Sequence, residues 1–315
     1  MENKILISAP YMYREMEKIK EMLKDYPFDV DWIHVEERLE EEDLLPVIHK
    51  YQGILCGDDR ITKKVIDKAE KLKAIVKWGT GIDSIDKEYA ETKGITVFRT
   101  PGAFTEPVSD TTIAMMLNEV RGLVRNDRVV KSGEWEKPQS YMLREKVIGI
   151  IGFGDIGKEV TRKLKAFGPK VLVNDIKEMD PKIFNDLDVE HTSKDEIYEN
   201  CDIITVHCDL NPESEHVLNK ESFSKMKKKP YVINNARGPL IKEDELVEAL
   251  ESGQVSGAGL DVFEDEPLPV DSPLRKMDNV IASCHNTNSS PMCWDAVHKN
   301  SLNMMVEGLD LKMSN

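Results

Sequence analysis

Short apolar runs alternate along the chain with charged stretches of helical length. Residues 4–8 (KILIS) read as a buried strand, and residues 13–24 read as a helix. Residues 28–33, 53–56, 74–77 and 95–98 are further strand candidates, and Lys-rich helical segments, among them 62–71, separate the last three. Continuous apolar runs spaced by helices predict parallel strands in an α/β layer fold. Thr100-Pro101-Gly102 breaks the rhythm as a connection. Beyond it one unusually long helix is predicted over 107–132, stopping at Gly133. A second α/β series follows, with strands at 147–151, 171–174, 203–207, 231–234, 257–260 and 280–283, and the tail 291–312 reads as helix. The layout predicts two α/β units joined by a hinge near residue 100, with the tail packed back on the first.

Composition narrows the class of function. The net charge is −15, and an acidic chain gains nothing from a phosphate backbone or an anionic membrane surface, so neither nucleic acid nor membrane is an expected partner. The five cysteines include no CxxC pair, which argues against a zinc site and a disulfide framework; no metal is expected, and free thiols in a reducing cytosol are. The first residues, MENKILISAP, lack the apolar stretch of a signal peptide, and no window is long and apolar enough to span a bilayer. A cytoplasmic protein is expected.

The strand at 147–151 runs into Gly152-Phe153-Gly154-Asp155-Ile156-Gly157, a GxGxxG that opens a helix at 158–167, and Asp175 ends the next strand. That order is the dinucleotide-binding arrangement. Gly152 allows the tight turn, Gly154 lets backbone approach a pyrophosphate, and Gly157 lets helix and sheet pack closely. The helix N-terminus offers N–H groups and positive dipole to phosphate. Asp175 can accept from ribose hydroxyls and would repel a 2′-phosphate, which favours NAD over NADP. Asp155 places a negative side chain beside the pyrophosphate, a feature that weakens such a site.

Three residues downstream of this turn each follow a predicted strand: Arg237 in INNARGP, Glu266 in DVFEDEP and His285 in IASCHNTN. Together they supply what hydride transfer to a 2-keto acid needs. Arginine gives a permanent bidentate cation for the carboxylate, histidine a proton donor near neutral pH, and glutamate a partner that stabilises the imidazolium.

The segments WGTGIDSID, GFGDIG with Asp175, VINNARGPLI, GAGLDVFEDEP and the final His285 resemble the D-isomer-specific 2-hydroxyacid dehydrogenase family, over about residues 53–294. The resemblance implies two doubly wound parallel-sheet domains: a flavodoxin-like substrate domain, residues 1–100 and 288–315, and a Rossmann NAD-binding domain, residues 101–287. It implies that Arg237 binds substrate and that Glu266 and His285 form the proton relay. It maps cofactor contacts onto Phe153, Gly154, Asp155, Ile156, Asp175, His207, Cys208, Ala236, Arg237, Asp261 and His285, with Thr112 touching the phosphate or amide end. Gly79-Thr80-Gly81 corresponds to the turn whose N–H groups bind the substrate carboxylate, oriented by Asp83. Cys284, Asp209 and Asp110 depart from the family's usual residues.

The first half looks most like phosphoglycerate dehydrogenases, without their extra regulatory domain. However, Cys56 stands where a phosphate-binding basic residue is usual, and Asp58 and Asp59 follow it; Lys77 and Lys137 are partial substitutes. Glyoxylate or hydroxypyruvate reduction is therefore the rival expectation, and an NAD-sensing corepressor-like protein the remote one. The apolar cluster Ile113, Met115, Met116 and Leu117 on the long helix is expected to help form a homodimer.

Overall fold

Parallel strands organise both halves of the chain, of which the computed structural model describes residues 3–312. The first half runs β1 (Lys4–Ile7), α1 (Pro10–Arg14), α2 (Met16–Leu23), β2 (Asp29–Trp32), α3 (Glu41–Leu44), β3 (Gly53–Cys56), α4 (Lys63–Lys68), β4 (Ala74–Lys77), α5 (Lys87–Thr92) and β5 (Thr96–Phe98). Its sheet has the order β2-β1-β3-β4-β5, the flavodoxin-like winding.

The second half runs α6 (Thr105–Arg121), α7 (Leu123–Lys131), β6 (Val147–Ile151), α8 (Asp155–Leu164), β7 (Lys170–Asn174), α9 (Pro181–Leu187), β8 (Glu190–His191), α10 (Lys194–Asn200), β9 (Ile203–Val206), α11 (Lys220–Ser224), β10 (Tyr231–Asn234), α12 (Glu243–Glu251), β11 (Gly257–Leu260) and β12 (Val280–Ala282). Its parallel sheet has the order β12-β11-β10-β9-β6-β7-β8, a Rossmann winding extended by one strand. Alternate residues feed its two faces: Ile148, Ile150, Val171, Val173 and Ile233 enter one apolar core, while Ile151, Leu172, Val206 and Val232 enter the other. Both faces are buried, which is why these strands read as unbroken apolar runs.

The last helix, α13 (Pro291–Gly308), belongs to the first unit. Met305 of α13 packs so closely on β3 that any Cβ at Gly53 would overlap its sulfur. The units divide at Phe104/Thr105 and at Asn288/Ser289.

The single helix expected over 107–132 is two helices. Gly122 breaks it with φ +63°, a left-handed conformation that glycine enters without penalty. Ile113, Met115 and Met116 are buried in the second unit's own core, with Leu117 packed against them, so this cluster is not a surface for a second chain. Exposed apolar residues begin just beyond it, among them Leu123 (61% exposed), Val124, Val130, Trp135 (80%), Tyr141 and Met142.

Candidate active site

The Rossmann winding reverses between β6 and β9, where ligands gather at the carboxyl ends of strands. The glycine turn follows β6. Gly152 has φ +95°, and a Cβ there would lie 2.5 Å from the carbonyl carbon of His207, so the loop after β9 is packed against a bare backbone. A Cβ on Gly154 would meet nothing within 4 Å, which leaves open space beside the first turn of α8. That turn has no side-chain cap, so its N–H groups are not spent on the N-cap residue. Asp155 and Ile156 form this turn, Asp155 exposed, and Gly157 is buried within it.

Asp175 closes the turn from β7. Its Oδ2 accepts from the Phe153 N–H (2.6 Å) and its Oδ1 from the Lys177 N–H (2.8 Å), which leaves acceptor capacity on each oxygen. Phe153 takes part through this N–H, its ring being buried against Phe184. On the β9 side, His207 places Nε2 3.0 Å from the Thr205 hydroxyl, while Nδ1 is buried without a partner. Burial pushes the His207 imidazole down to about 4, so it is neutral near pH 7. Cys208 donates to the Ile151 carbonyl, and burial raises its thiol to about 11, which makes it unreactive.

Arg237 follows β10. Asn234 shapes its loop: the side chain accepts from the Ala236 N–H (3.1 Å) and donates to the Arg237 carbonyl (2.8 Å). The guanidinium donates to the Ala236 carbonyl at 2.9 Å. Glu266 and His285 sit on the loops after β11 and β12. Glu266 Oε1 accepts from the Phe263 N–H and Oε2 lies 3.0 Å from His285 Nδ1. Nδ1 is thus committed to the carboxylate, and Nε2 is the nitrogen that can carry a transferable proton. His285 itself has φ +47°, a left-handed conformation that a non-glycine residue adopts only where its surroundings hold it.

In the first unit, the carbonyl of Gly79 accepts from the Thr100 N–H (2.9 Å) and hydroxyl (3.0 Å), and that of Thr80 accepts from Arg99 (3.2 Å). In a trans peptide the C=O and N–H point opposite ways. The N–H groups of Thr80 and Gly81 therefore face away from residues 99–100, as an anion-binding turn requires. Lys77, buried at the end of β4, lies beside Gly79 and pairs with Asp58 at 2.8 Å.

A family model of the D-isomer specific 2-hydroxyacid dehydrogenase NAD binding domain matches residues 113–287. The chain is 39% identical over 254 residues to a glyoxylate reductase of Thermofilum pendens, covering 78% of this chain and 74% of the relative. It is 36% identical over 293 residues to a D-3-phosphoglycerate dehydrogenase of Methanocaldococcus jannaschii, covering 91% of this chain and 54% of the relative. Among solved structures, D-lactate dehydrogenase from Aquifex aeolicus, complexed with NAD and lactic acid, matches with a TM-score of 0.86 and 28% identity over 96% of this chain and 94% of that one. The chain belongs to the D-isomer specific 2-hydroxyacid dehydrogenase family.

As a member of that family it is an NAD-dependent oxidoreductase that moves a hydride to or from C2 of a small 2-hydroxy or 2-keto acid. The residues present fit NAD. Open space at Gly154, an uncapped helix start and the unspent acceptors of Asp175 suit the pyrophosphate and ribose, and the orphaned Nδ1 of His207 is a buried polar atom awaiting a partner.

Two of the assigned cofactor contacts already have partners within the chain. Thr112 is wholly buried, its hydroxyl donating to the Val108 carbonyl and accepting from Asn235, so it braces α6 against the Arg237 loop. Asp261 is also wholly buried, with both carboxylate oxygens turned into the chain. The sequence reading missed Asn234, Ser283 and Thr287. Their signal was local: short side chains that bond to nearby backbone, flanking Arg237 and His285.

Proposed function

We propose that the acid reduced by NADH is small and unphosphorylated, glyoxylate or hydroxypyruvate, and that Arg237, Glu266 and His285 carry the reaction. The observation behind the substrate class is the Lys77–Asp58 pair. Lys77 is the buried cation nearest in sequence to the Gly79-Thr80-Gly81 turn, and a carboxylate at 2.8 Å already neutralises it. A phosphate would have to displace Asp58 or approach a second anion, and leaving either charge unpaired in a buried site is costly.

Bound NADH supplies the hydride. The guanidinium of Arg237 anchors the substrate carboxylate and polarises the carbonyl. The imidazolium of His285 gives its Nε2 proton to the oxygen as negative charge develops there, and takes it back in the reverse direction. Glu266 holds the Nδ1 side, fixing the ring and favouring its protonated form. The amides of Thr80 and Gly81 are assigned to the substrate carboxylate on the family resemblance. The exposed apolar face of α7 and the segment behind it, Leu123, Val130, Trp135 and Met142, is the proposed homodimer contact. No helix among the described residues is long and apolar enough to cross a membrane, and the proposed place of work is the cytoplasm.

The test is a rate panel with NADH against glyoxylate, hydroxypyruvate and phosphohydroxypyruvate. The unphosphorylated acids should have kcat/KM values higher by about tenfold or more, roughly 1.4 kcal/mol. Asp58→Ala should narrow that gap by freeing the Lys77 cation. A preference for phosphohydroxypyruvate in the unaltered enzyme would overturn the proposal.

A further inference from the structure

Trp78 is the last residue before the Gly79-Thr80-Gly81 turn and is almost wholly buried. The far side of that turn is tied to Thr100, through the Gly79 carbonyl, and to Arg99, through the Thr80 carbonyl. Gly79 has φ +139°, a region that only glycine enters freely, so it restrains the chain little. How the chain enters the turn is therefore set by what holds Trp78. Its N–H donates to the Cys56 carbonyl (2.9 Å). Its ring is stacked on Tyr11, with centroids 4.4 Å apart, and meets Trp294 edge-on at 6.1 Å. Its indole N–H donates to Nδ1 of His298 (2.9 Å), a residue of α13 that is 0% exposed. An indole N–H can only donate, so Nδ1 is the acceptor and the proton of the neutral ring sits on Nε2. Nε2 donates to Glu15, between α1 and α2, at 3.2 Å. Burial favours that neutral ring. Lys18 in turn pairs with Glu15 (3.4 Å) and with Asp295 of α13.

We infer that His298 is a positioning residue that, through Trp78, holds the Gly79-Thr80-Gly81 turn in the shape that grips the substrate carboxylate. The inference rests on the assignment of the Thr80 and Gly81 amides to that carboxylate. A leucine at 298 would fill the buried space with no polar atom to satisfy. A buried histidine costs stability unless both nitrogens are partnered, and here the two bonds add one fixed orientation of the Trp78 ring. They also tie the turn to α13 and to the α1–α2 junction, elements far from it in sequence. The turn holds the carboxylate in ground and transition states alike, so its loosening shows in KM rather than in kcat.

The test compares His298→Leu with His298→Gln. Leucine leaves the indole N–H buried without an acceptor, and KM for glyoxylate or hydroxypyruvate should rise about tenfold, roughly 1.4 kcal/mol of binding. At saturating substrate kcat should stay within about threefold, and so should NADH affinity read from nicotinamide fluorescence without substrate. Glutamine carries an oxygen that can accept from the indole and an amide N–H that can donate to Glu15, so it should restore KM. The Trp78 indole N–H resonance, one of four in the ¹⁵N-labelled protein and identified by its loss in Trp78→Phe, should move in the leucine variant and return in the glutamine one. If His298→Leu does not fold, Glu15→Ala, at a partly exposed position, removes the bond that fixes the tautomer and should raise KM by a smaller factor. A lowered melting temperature with KM unchanged in His298→Leu would make His298 a core residue alone and overturn the inference. A KM rise that glutamine does not reverse would overturn it too, because bulk and not the two bonds would then be responsible. Thr100→Val, which removes the hydroxyl bond at the other anchor of the turn, separates the two readings. A raised KM there but not in His298→Leu would sink the inference and leave the turn as the carboxylate grip. An unchanged KM in both would remove that assignment as well.

Discussion

His285 is held from two directions, by backbone bonds that fix its loop and by a carboxylate that fixes its ring. The carboxylate is fixed in turn, since Glu266 cannot rotate from the imidazole without giving up the Phe263 N–H. A positioned general acid contributes about 10²–10⁴-fold, so His285→Ala should lower kcat for reduction by that range while NADH still binds. Glu266→Gln keeps a hydrogen-bonding group but removes the negative charge. The variant imidazole then holds its proton less tightly, and reduction, which needs the protonated form, should lose activity at lower pH than in the unaltered enzyme. Steady-state rates across pH read this directly, and an unmoved profile would show that Glu266 acts through geometry alone. Arg237→Ala should damage kcat and KM together, because its cation serves both ground and transition states.

At the scale of elements, β3, β4, β6, β10 and β11 occupy the residues that their apolar runs marked, because a strand buried on both faces has no polar position to blur its ends. The glycine turn was legible for the same reason, being placed by the strand before it. What was not legible depends on contacts distant in sequence. The break at Gly122 lies in a stretch where helical pattern continues on both sides. The two-residue β8 is too short to show a period and exists by pairing with β7. Thr112 and Asp261 stand at their family positions, yet only the partners reaching them from Asn235, Ser283 and Thr287 show where their oxygens are spent. The break at Gly122 also changes which surface is available. Before it, α6 buries its apolar residues; after it, α7 buries none, and Leu123 and Val130, seven residues apart, share one exposed face. Light scattering at micromolar concentration should give a dimer mass. Leu123→Glu combined with Val130→Glu should shift it to the monomer without lowering the melting temperature, since neither side chain belongs to a core. A monomer in the unaltered protein would end this proposal.

Over the whole molecule, each unit carries a histidine that burial keeps neutral. His207 in the second unit is lowered to about 4 from 6.5, and His298 in the first, fully buried and set between Trp78 Nε1 and Glu15, is lowered as well, chiefly by desolvation. The unfolded chain takes up protons on these rings below pH 6.5, where the folded chain does not. Stability therefore falls as pH drops from about 6.5 toward 4, and is fully present above that window. For His207 the effect is at most ~3 kcal/mol, and about 2–4 °C per kcal/mol is expected for a unit of this size. Glu119 and Glu243 act oppositely, because burial raises their carboxyls and the folded state protonates them first, so they blunt the loss at the acid end. The melting temperature of the cofactor-free protein should thus decline by several degrees between pH 7 and pH 5, before ordinary carboxylates titrate. His207→Gln, which cannot take up a proton in either state, should flatten that decline in the transition of the second unit. An equal slope in the variant would show that the buried imidazole is not what couples this unit's folding to pH.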